Sequence, residues 1–170
     1  MILETKGNLT DHYDPTRKVI RLSTDIYHGS SIASVAVAAH ECGHAVQHAR
    51  MYAPLKMRSA LVPVENFASS IMTWVLLGGI LLINSFPQLL LAGIILFAMT
   101  TLFSFITLPV EINASKRALV WLSSSGITNS YNHAQAEDAL RSAAYTYVVA
   151  ALSSLATLVY YIMIFMGRRD

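Results

Sequence analysis

The pattern of apolar and polar positions divides the chain at two acidic residues. No charged residue lies between Glu65 and Glu111, and only a turn-forming segment at residues 84–87 interrupts this apolar run. We therefore predict two membrane helices, at residues 67–86 and 88–108, joined by a short hairpin. Each segment is close to the ~20 residues that a helix needs to cross the hydrocarbon of a bilayer.

A third uncharged run, from residue 142 to residue 167, predicts another membrane helix at residues 143–166. Within hydrocarbon every backbone polar group must be bonded inside the segment, so each run is expected to be helical. The alternative is a helix buried in a soluble core. Three such runs in 170 residues leave too little other protein to cover them.

The first 66 residues are more polar and predict a different structure. Residues 18–23 form a short run of strand-forming residues, with residues 2–9 as the expected hairpin partner and residues 9–15 as a turn. A glycine and two serines then precede an apolar stretch, so a helix is expected from about residue 31 to residue 50, with either serine as its N-cap. Residues 110–122 are expected to continue the second membrane helix into water.

Composition supports a membrane protein. Apolar residues make up 54% of the chain and charged residues 13%, and the mean hydropathy is +0.48. A soluble domain carries about 25% charged residues, so this chain has too little charge to cover a soluble surface. The same apolar composition excludes intrinsic disorder, a collagen-like fibre and a coiled coil. The net charge of +2 is too small and dispersed for a nucleic-acid surface. The single cysteine, Cys42, excludes an intrachain disulfide, and no secretory signal peptide is expected.

The positions of lysine and arginine predict the orientation in the membrane. All of them except Arg168 and Arg169 precede the first predicted span or lie between the second and third. These two segments lie on the same side, because two spans separate them. The positive-inside rule places that side in the cytoplasm, and the protein is expected to be a multi-pass cell-membrane protein.

The sequence Ala39-His40-Glu41-Cys42-Gly43-His44 carries the most chemical information. It is an H-E-x-x-H pattern on a predicted helix, where the two histidines project from one face on successive turns. Two such imidazoles can share one Zn²⁺, and the glutamate between them can act as a general base on a metal-bound water. The alternative is two surface histidines. Because the neighbouring residues are apolar, the helix is expected to be half buried, where unpaired polar groups are costly and a metal removes that cost.

Glu111 is the expected third metal ligand. His48 is excluded, because eight residues separate it from His40 and a helix rises about 12 Å over that distance. Glu111 follows the second predicted span, and a carboxylate at that boundary is costly unless it is paired or binds a metal. An ion pair of Glu111 with Lys116 or Arg117 is the alternative. Weaker candidate ligands are His12, Glu65 and Asp138.

Four segments together resemble YugP-type membrane zinc metallopeptidases, and the resemblance covers nearly the whole chain. These segments are HECGHAVQ at 40–47, LVPV at 61–64, LPVEINAS at 108–115 and TDHYDP at 10–15. The resemblance implies the gluzincin pattern, with His40 and His44 as zinc ligands, Glu41 as the catalytic residue and Glu111 as the third ligand.

Two departures from related patterns are visible. The stretch from Glu111 to Ser115 is similar to the E-x-x-A-D motif of HtpX-type and CAAX prenyl proteases, in which the aspartate supports a motif histidine. Ser115 stands at that position here, so weaker support is expected. YugP-type proteins also commonly begin with a further membrane helix, whereas this sequence begins with a polar segment.

We therefore predict a mainly α, integral membrane helical protein with a small zincin-like peptidase region that contains a short β-hairpin and the H-E-x-x-H helix. The expected organisation is a cytoplasmic peptidase region at 1–66, a transmembrane hairpin at 67–108, a third-ligand helix and loop at 109–142, and a third membrane helix and tail at 143–170. The expected partners are the lipid bilayer and a peptide or membrane-protein substrate, which could pair with residues 18–23 as an added strand. No nucleic-acid partner is expected.

The predicted activity is zinc-dependent hydrolysis of peptide bonds. Tyr145 or Tyr147 could donate a hydrogen bond to the developing oxyanion, although both fit interfacial aromatics as well. One alternative function is a non-catalytic zinc-binding scaffold. A second is an intramembrane metalloprotease, which requires the motif inside an apolar span, whereas here the motif helix ends in Gln47, His48 and Arg50.

Overall fold

The structure is a computed structural model that describes residues 1–167, so the predicted tail with Arg168 and Arg169 lies outside the described residues. The described chain is mainly helical, with one small sheet. Its strands are β1 (Ile2–Thr5), β2 (His12–Asp14) and β3 (Val19–Ser23). Its helices are α1 (Thr24–Tyr27), α2 (Ile32–Ala49), α3 (Ala53–Leu81), α4 (Pro87–Ser124) and α5 (His133–Gly167).

The sheet corrects two details of the predicted hairpin. Its strand order is β1-β3-β2, and β1 lies parallel to β3, so residues 2–9 are not the hairpin partner. The antiparallel partner is β2, inside the segment expected to be a turn. The reason is local: the Asp14 carboxylate accepts hydrogen bonds from the backbone N–H groups of Thr16 and Arg17, both at 2.9 Å. This side-chain turn closes the hairpin directly after β2.

The position of β3 also changes the predicted peptide-binding edge. Because β3 is the central strand, both of its backbone edges are already paired, with β1 on one side and β2 on the other. Residues 18–23 therefore offer no free edge to an added peptide strand. The outer edges of this sheet belong to β1 and β2.

Helix α2 agrees closely with the helix predicted at residues 31–50. Ser31 is its N-cap, and the Ser31 hydroxyl accepts a hydrogen bond from the backbone N–H of Ser34 at 3.0 Å. One face of α2 is formed by small residues that pack into a buried cluster with α4 and α5. The cluster contains Ala36, Ala39, Ala118, Leu122, Ala136 and Leu140. Small side chains let the helix axes approach closely.

Three helices, α3, α4 and α5, are long and apolar enough to cross a membrane. Helix α3 begins at Ala53, well before the predicted start at residue 67, so Glu65 lies inside the helix. Helix α4 runs through Pro109 without ending, and therefore extends beyond the predicted span as expected. Large apolar side chains such as Trp74 and Leu81 are exposed, which a lipid environment explains.

The described chain divides into two compact units. One unit contains Met1–Lys56 and Pro109–Thr146, and the other contains Met57–Leu108 and the chain from Tyr147 onward. The second unit has its own apolar cluster, formed by Leu76, Leu90 and Ile94. The first unit contains the sheet, α2 and the later part of α4, and it therefore contains every residue of the predicted metal site.

Candidate metal centre

Helices α2 and α4 bring three candidate metal ligands together. His40 and His44 project from one face of α2 toward Glu111 on α4. The Glu111 Oε2 atom lies 3.1 Å from His40 Nε2 and 3.4 Å from His44 Nε2. One potential ligand atom from each of the three residues lies within 4.8 Å of the other two.

This spacing fits a zinc ion. Two ligand atoms that bind one zinc tetrahedrally at ~2.0–2.1 Å lie about 3.3–3.4 Å apart. The two distances from the Glu111 oxygen are close to that value, and two imidazoles with one carboxylate form a common catalytic zinc donor set. Glu111 is 3% exposed, so its charge is costly to bury without a cation beside it. The donor atoms therefore suit Zn²⁺ in both chemistry and spacing.

Gly43 allows the two helices to approach at this point. A Cβ atom at Gly43 would lie 2.6 Å from the carbonyl oxygen of Ala114, a backbone atom that cannot move independently of α4. Glu111 and Ser115 are the neighbours of Ala114 on α4. The missing side chain at position 43 therefore brings the ligand-bearing segment of α4 within reach of the motif histidines.

Replacing Gly43 by alanine is expected to lower the free energy of unfolding by about 1–3 kcal/mol, the usual effect of overpacking. At an exposed helix position, replacing glycine by alanine would raise the free energy of unfolding by up to ~1 kcal/mol. The sign of the change therefore distinguishes a close contact at residue 43 from an open position. Thermal unfolding in detergent followed by circular dichroism measures it. Gly167→Ala is the control, because a Cβ there meets nothing within 4 Å. A Gly43→Ala protein more stable than wild type would contradict the close-contact argument.

Glu41 is a buried carboxylate on the same helix. Burial raises the pKa of Glu41 above its usual value, although the charges of His44 and His40 act in the opposite direction. Asp11, which directly precedes β2, adds to the rise in this pKa and therefore lies close enough to affect the carboxylate. A more basic carboxylate is better suited to accept a proton near neutral pH.

The pKa of His44 reflects two opposing effects. Burial lowers the pKa of His44, but the hydrogen bond and charge of Glu111, the charge of Glu41 and the hydrogen bond of Gln47 together outweigh burial and raise the pKa above its usual value. Without a metal, the negative charge of Glu111 therefore favours a proton on the His44 imidazole. A metal cation would take over that electrostatic role, and its binding would release the proton.

The Nδ1 atoms of the two motif histidines have different hydrogen-bond partners. His40 Nδ1 lies 3.0 Å from the Ser115 hydroxyl, so Ser115 does contact a motif histidine at the position where the related motif has aspartate. His44 Nδ1 lies 3.0 Å from the side-chain oxygen of Gln47. Sequence reasoning missed Gln47. The available signal was its spacing, because a polar residue three positions after His44 on a half-buried helix shares the ligand face.

The other residues singled out from the sequence lie outside this group. His48 forms a 2.8 Å hydrogen bond with the Tyr13 hydroxyl. Arg117 donates to Asn113 rather than to Glu111, at 2.8 Å, which argues against the alternative ion pair. His12, Lys116, Glu65 and Asp138 are not in the ligand group, and Tyr145 and Tyr147 are exposed on α5.

Comparison with known proteins shows the family to which the chain belongs. A family profile described as "Putative neutral zinc metallopeptidase" matches residues 1–166. The chain belongs to this family. The chain is also similar to the "Putative membrane protease YugP" of Bacillus subtilis (strain 168). The two are 47% identical over 165 residues, which cover 97% of this chain and 72% of that protein.

No solved structure matches the chain. The family implies a bound metal, with zinc as the metal in its description, and the His–Glu group described above is a possible place for it. The name of the Bacillus relative and the three apolar helices both support membrane association. The resemblance to YugP-type proteins drawn from the sequence motifs is thus confirmed.

Proposed function

We propose that the chain is a membrane-bound, zinc-dependent endopeptidase of the gluzincin type. His40, His44 and Glu111 hold the zinc, and Glu41 is the general base. The observation that carries this proposal is the approach of one Glu111 oxygen to both motif imidazoles at 3.1 and 3.4 Å. Residues from two separate parts of the sequence meet there at distances close to those between two ligand atoms of one zinc ion.

Bound zinc would supply Lewis-acid chemistry, lowering the pKa of a water molecule and polarising the scissile carbonyl. Glu41 accepts a proton from the attacking water while the water oxygen forms a bond with the carbonyl carbon. Glu41 then donates that proton to the amine leaving group as the C–N bond breaks. The burial that raises the pKa of Glu41 supports both steps, because the carboxylate must bind the proton and then release it.

We place the peptidase unit on the cytoplasmic side of a multi-pass cell-membrane protein. The lysines and arginines before α3 and between α4 and α5 support this orientation. Helix α2 is not among the three described helices that are long and apolar enough to span a membrane. This favours a site beside the bilayer over an intramembrane protease.

The substrate class we propose is an extended segment of a peptide or membrane protein, paired with the outer edge of β2. Strand β2 packs against α2, and Tyr13 on this strand bonds to His48 on that helix. Asp11, directly before β2, affects the pKa of Glu41. A peptide added at this edge would therefore lie next to the strand that packs against the motif helix.

Removal and return of the metal test the proposed activity. The detergent-solubilised protein should cleave a casein-type substrate, lose activity when a chelator removes zinc, and regain it when one equivalent of Zn²⁺ is added. Mg²⁺ should not restore cleavage, because it prefers oxygen ligands in octahedral geometry. Zinc content should be measured on the same samples.

Two results would contradict the proposal in different ways. Cleavage that continues after zinc has been removed would assign the activity to another group or another protein. A protein that binds one zinc but hydrolyses neither casein nor membrane-protein segments would instead support the non-catalytic scaffold.

A further inference from the structure

The side chain of Gln47 is completely buried between His44 and α4, and its hydrogen bonds have a defined direction. The exposed fraction of Gln47 is 0%. Its Nε2 group donates to the backbone carbonyl of Val110 at 2.8 Å and to the side-chain oxygen of Asn113 at 3.0 Å. A backbone carbonyl can only accept a hydrogen bond. The atom of Gln47 that faces Val110 must therefore be the nitrogen, and the oxygen must face His44.

The Asn113 amide is oriented in the same way. The Nε–H group of Arg117 donates to the Asn113 side-chain oxygen at 2.8 Å. A guanidinium can only donate, so the atom of Asn113 that receives this bond must be the oxygen. That oxygen accepts from both Arg117 and Gln47. The direction of these hydrogen bonds is thus fixed at both ends, because Arg117 can only donate and the Val110 carbonyl can only accept.

This direction determines where the proton of His44 lies. Because the oxygen of Gln47 faces His44 Nδ1 at 3.0 Å, Nδ1 must carry the hydrogen of that bond. The other ring nitrogen, Nε2, faces Glu111. Ser115 imposes no such choice on His40, because a hydroxyl can donate or accept.

We propose that Gln47, oriented by Val110 and by the Asn113–Arg117 pair, is a positioning residue that holds His44 with Nδ1 protonated and Nε2 directed at the metal. This inference rests on the proposed zinc site. Hydrogen-bond partners of metal-binding histidines fix the tautomer and ring orientation, and their loss typically lowers metal affinity 10–100-fold.

Zinc affinity of Gln47→Met tests the proposal, because methionine keeps a similar length but loses both amide functions. The dissociation constant, measured by competition with a chelator, is expected to rise about 10–100-fold. Gln135→Met, at an exposed glutamine on α5, is the matched control and should bind zinc as wild type does. Circular dichroism should show unchanged helix content, so that a folding defect is not mistaken for loss of positioning.

A pair of variants at Asn113 keeps the test valid if Gln47→Met fails to fold. Asn113→Asp retains an oxygen that accepts from Gln47 and Arg117, and should preserve zinc affinity. Asn113→Leu removes that oxygen and should weaken zinc binding. Equal zinc affinity in Asn113→Asp and Asn113→Leu would contradict the role assigned to the Asn113 oxygen.

The position of the proton is read separately by ¹⁵N NMR of histidine-labelled protein. In the metal-free wild type, at a pH high enough for the His44 imidazole to be neutral, an exchange-protected Nδ1–H is expected, whereas in Gln47→Met the remaining proton should move to Nε2, beside Glu111. If the wild type binds zinc and Gln47→Met binds it equally well, the inference is overturned while the proposed function stands. A wild type that binds no zinc overturns the proposed function, and in that case a His44 without a proton on Nδ1 overturns the inference as well.

Discussion

Glu41→Gln is expected to lower the rate of peptide hydrolysis by about 10²–10⁴-fold, the usual contribution of a general acid–base group. The glutamine amide has nearly the shape of the carboxylate but cannot accept a proton from water. Zinc content should not fall, because the proposed ligands are His40, His44 and Glu111. The measurement is turnover of a casein-type or membrane-protein substrate, with zinc determined on the same preparation.

Glu137→Gln is the matched control for this substitution. Glu137 is an exposed glutamate on α5, so the same chemical change there should leave turnover unchanged. Undiminished turnover in Glu41→Gln would remove the assigned role. A loss of both turnover and zinc would show that Glu41 supports the metal site itself.

Glu111→Ala is expected to abolish stable zinc binding and, with it, hydrolysis. The substitution removes the only proposed ligand that comes from α4. The loss of affinity should exceed the ~10–100-fold that follows from removing a hydrogen-bond partner of a ligand. Two histidines on one helix would remain, and two ligands form a weaker site than three.

Zinc per protein, measured after dialysis against a weak chelator, decides the role of Glu111. Asp138→Ala is the control, because Asp138 is an exposed acidic residue outside the ligand group and was itself a weaker candidate from sequence. Glu111→Gln should also lose zinc, since a neutral amide is a poor ligand for this metal. Unchanged zinc content in Glu111→Ala would discard the third ligand.

The two substitutions separate the parts of the proposed function. Glu41→Gln tests proton transfer with the metal site intact, and Glu111→Ala tests the metal site itself. If only the second abolishes activity, zinc is required and Glu41 is not the base. If neither does so, the hydrolysis does not come from the proposed zinc site.

Helices were predicted better than strands, and the reason is the distance over which each signal acts. The N-cap at Ser31 and the long uncharged runs are local features that depend on neighbouring residues. The pairing of β1 with β3 instead brings together residues far apart in sequence, such as Ile2 and Ile20. Alternation within residues 18–23 could indicate a strand but could not show that both of its edges are used.

The amino-acid sequence by itself determined that the chain contains three apolar membrane-length segments and a helix with two histidines on one face. These follow from charge distribution and helical periodicity, which are properties of short segments. Only the tertiary structure decided that Glu111 meets both imidazoles, because this contact depends on the close approach of two helices at Gly43. It also decided the direction of the Gln47 amide, since that direction depends on a backbone carbonyl and an arginine more than sixty residues away along the chain.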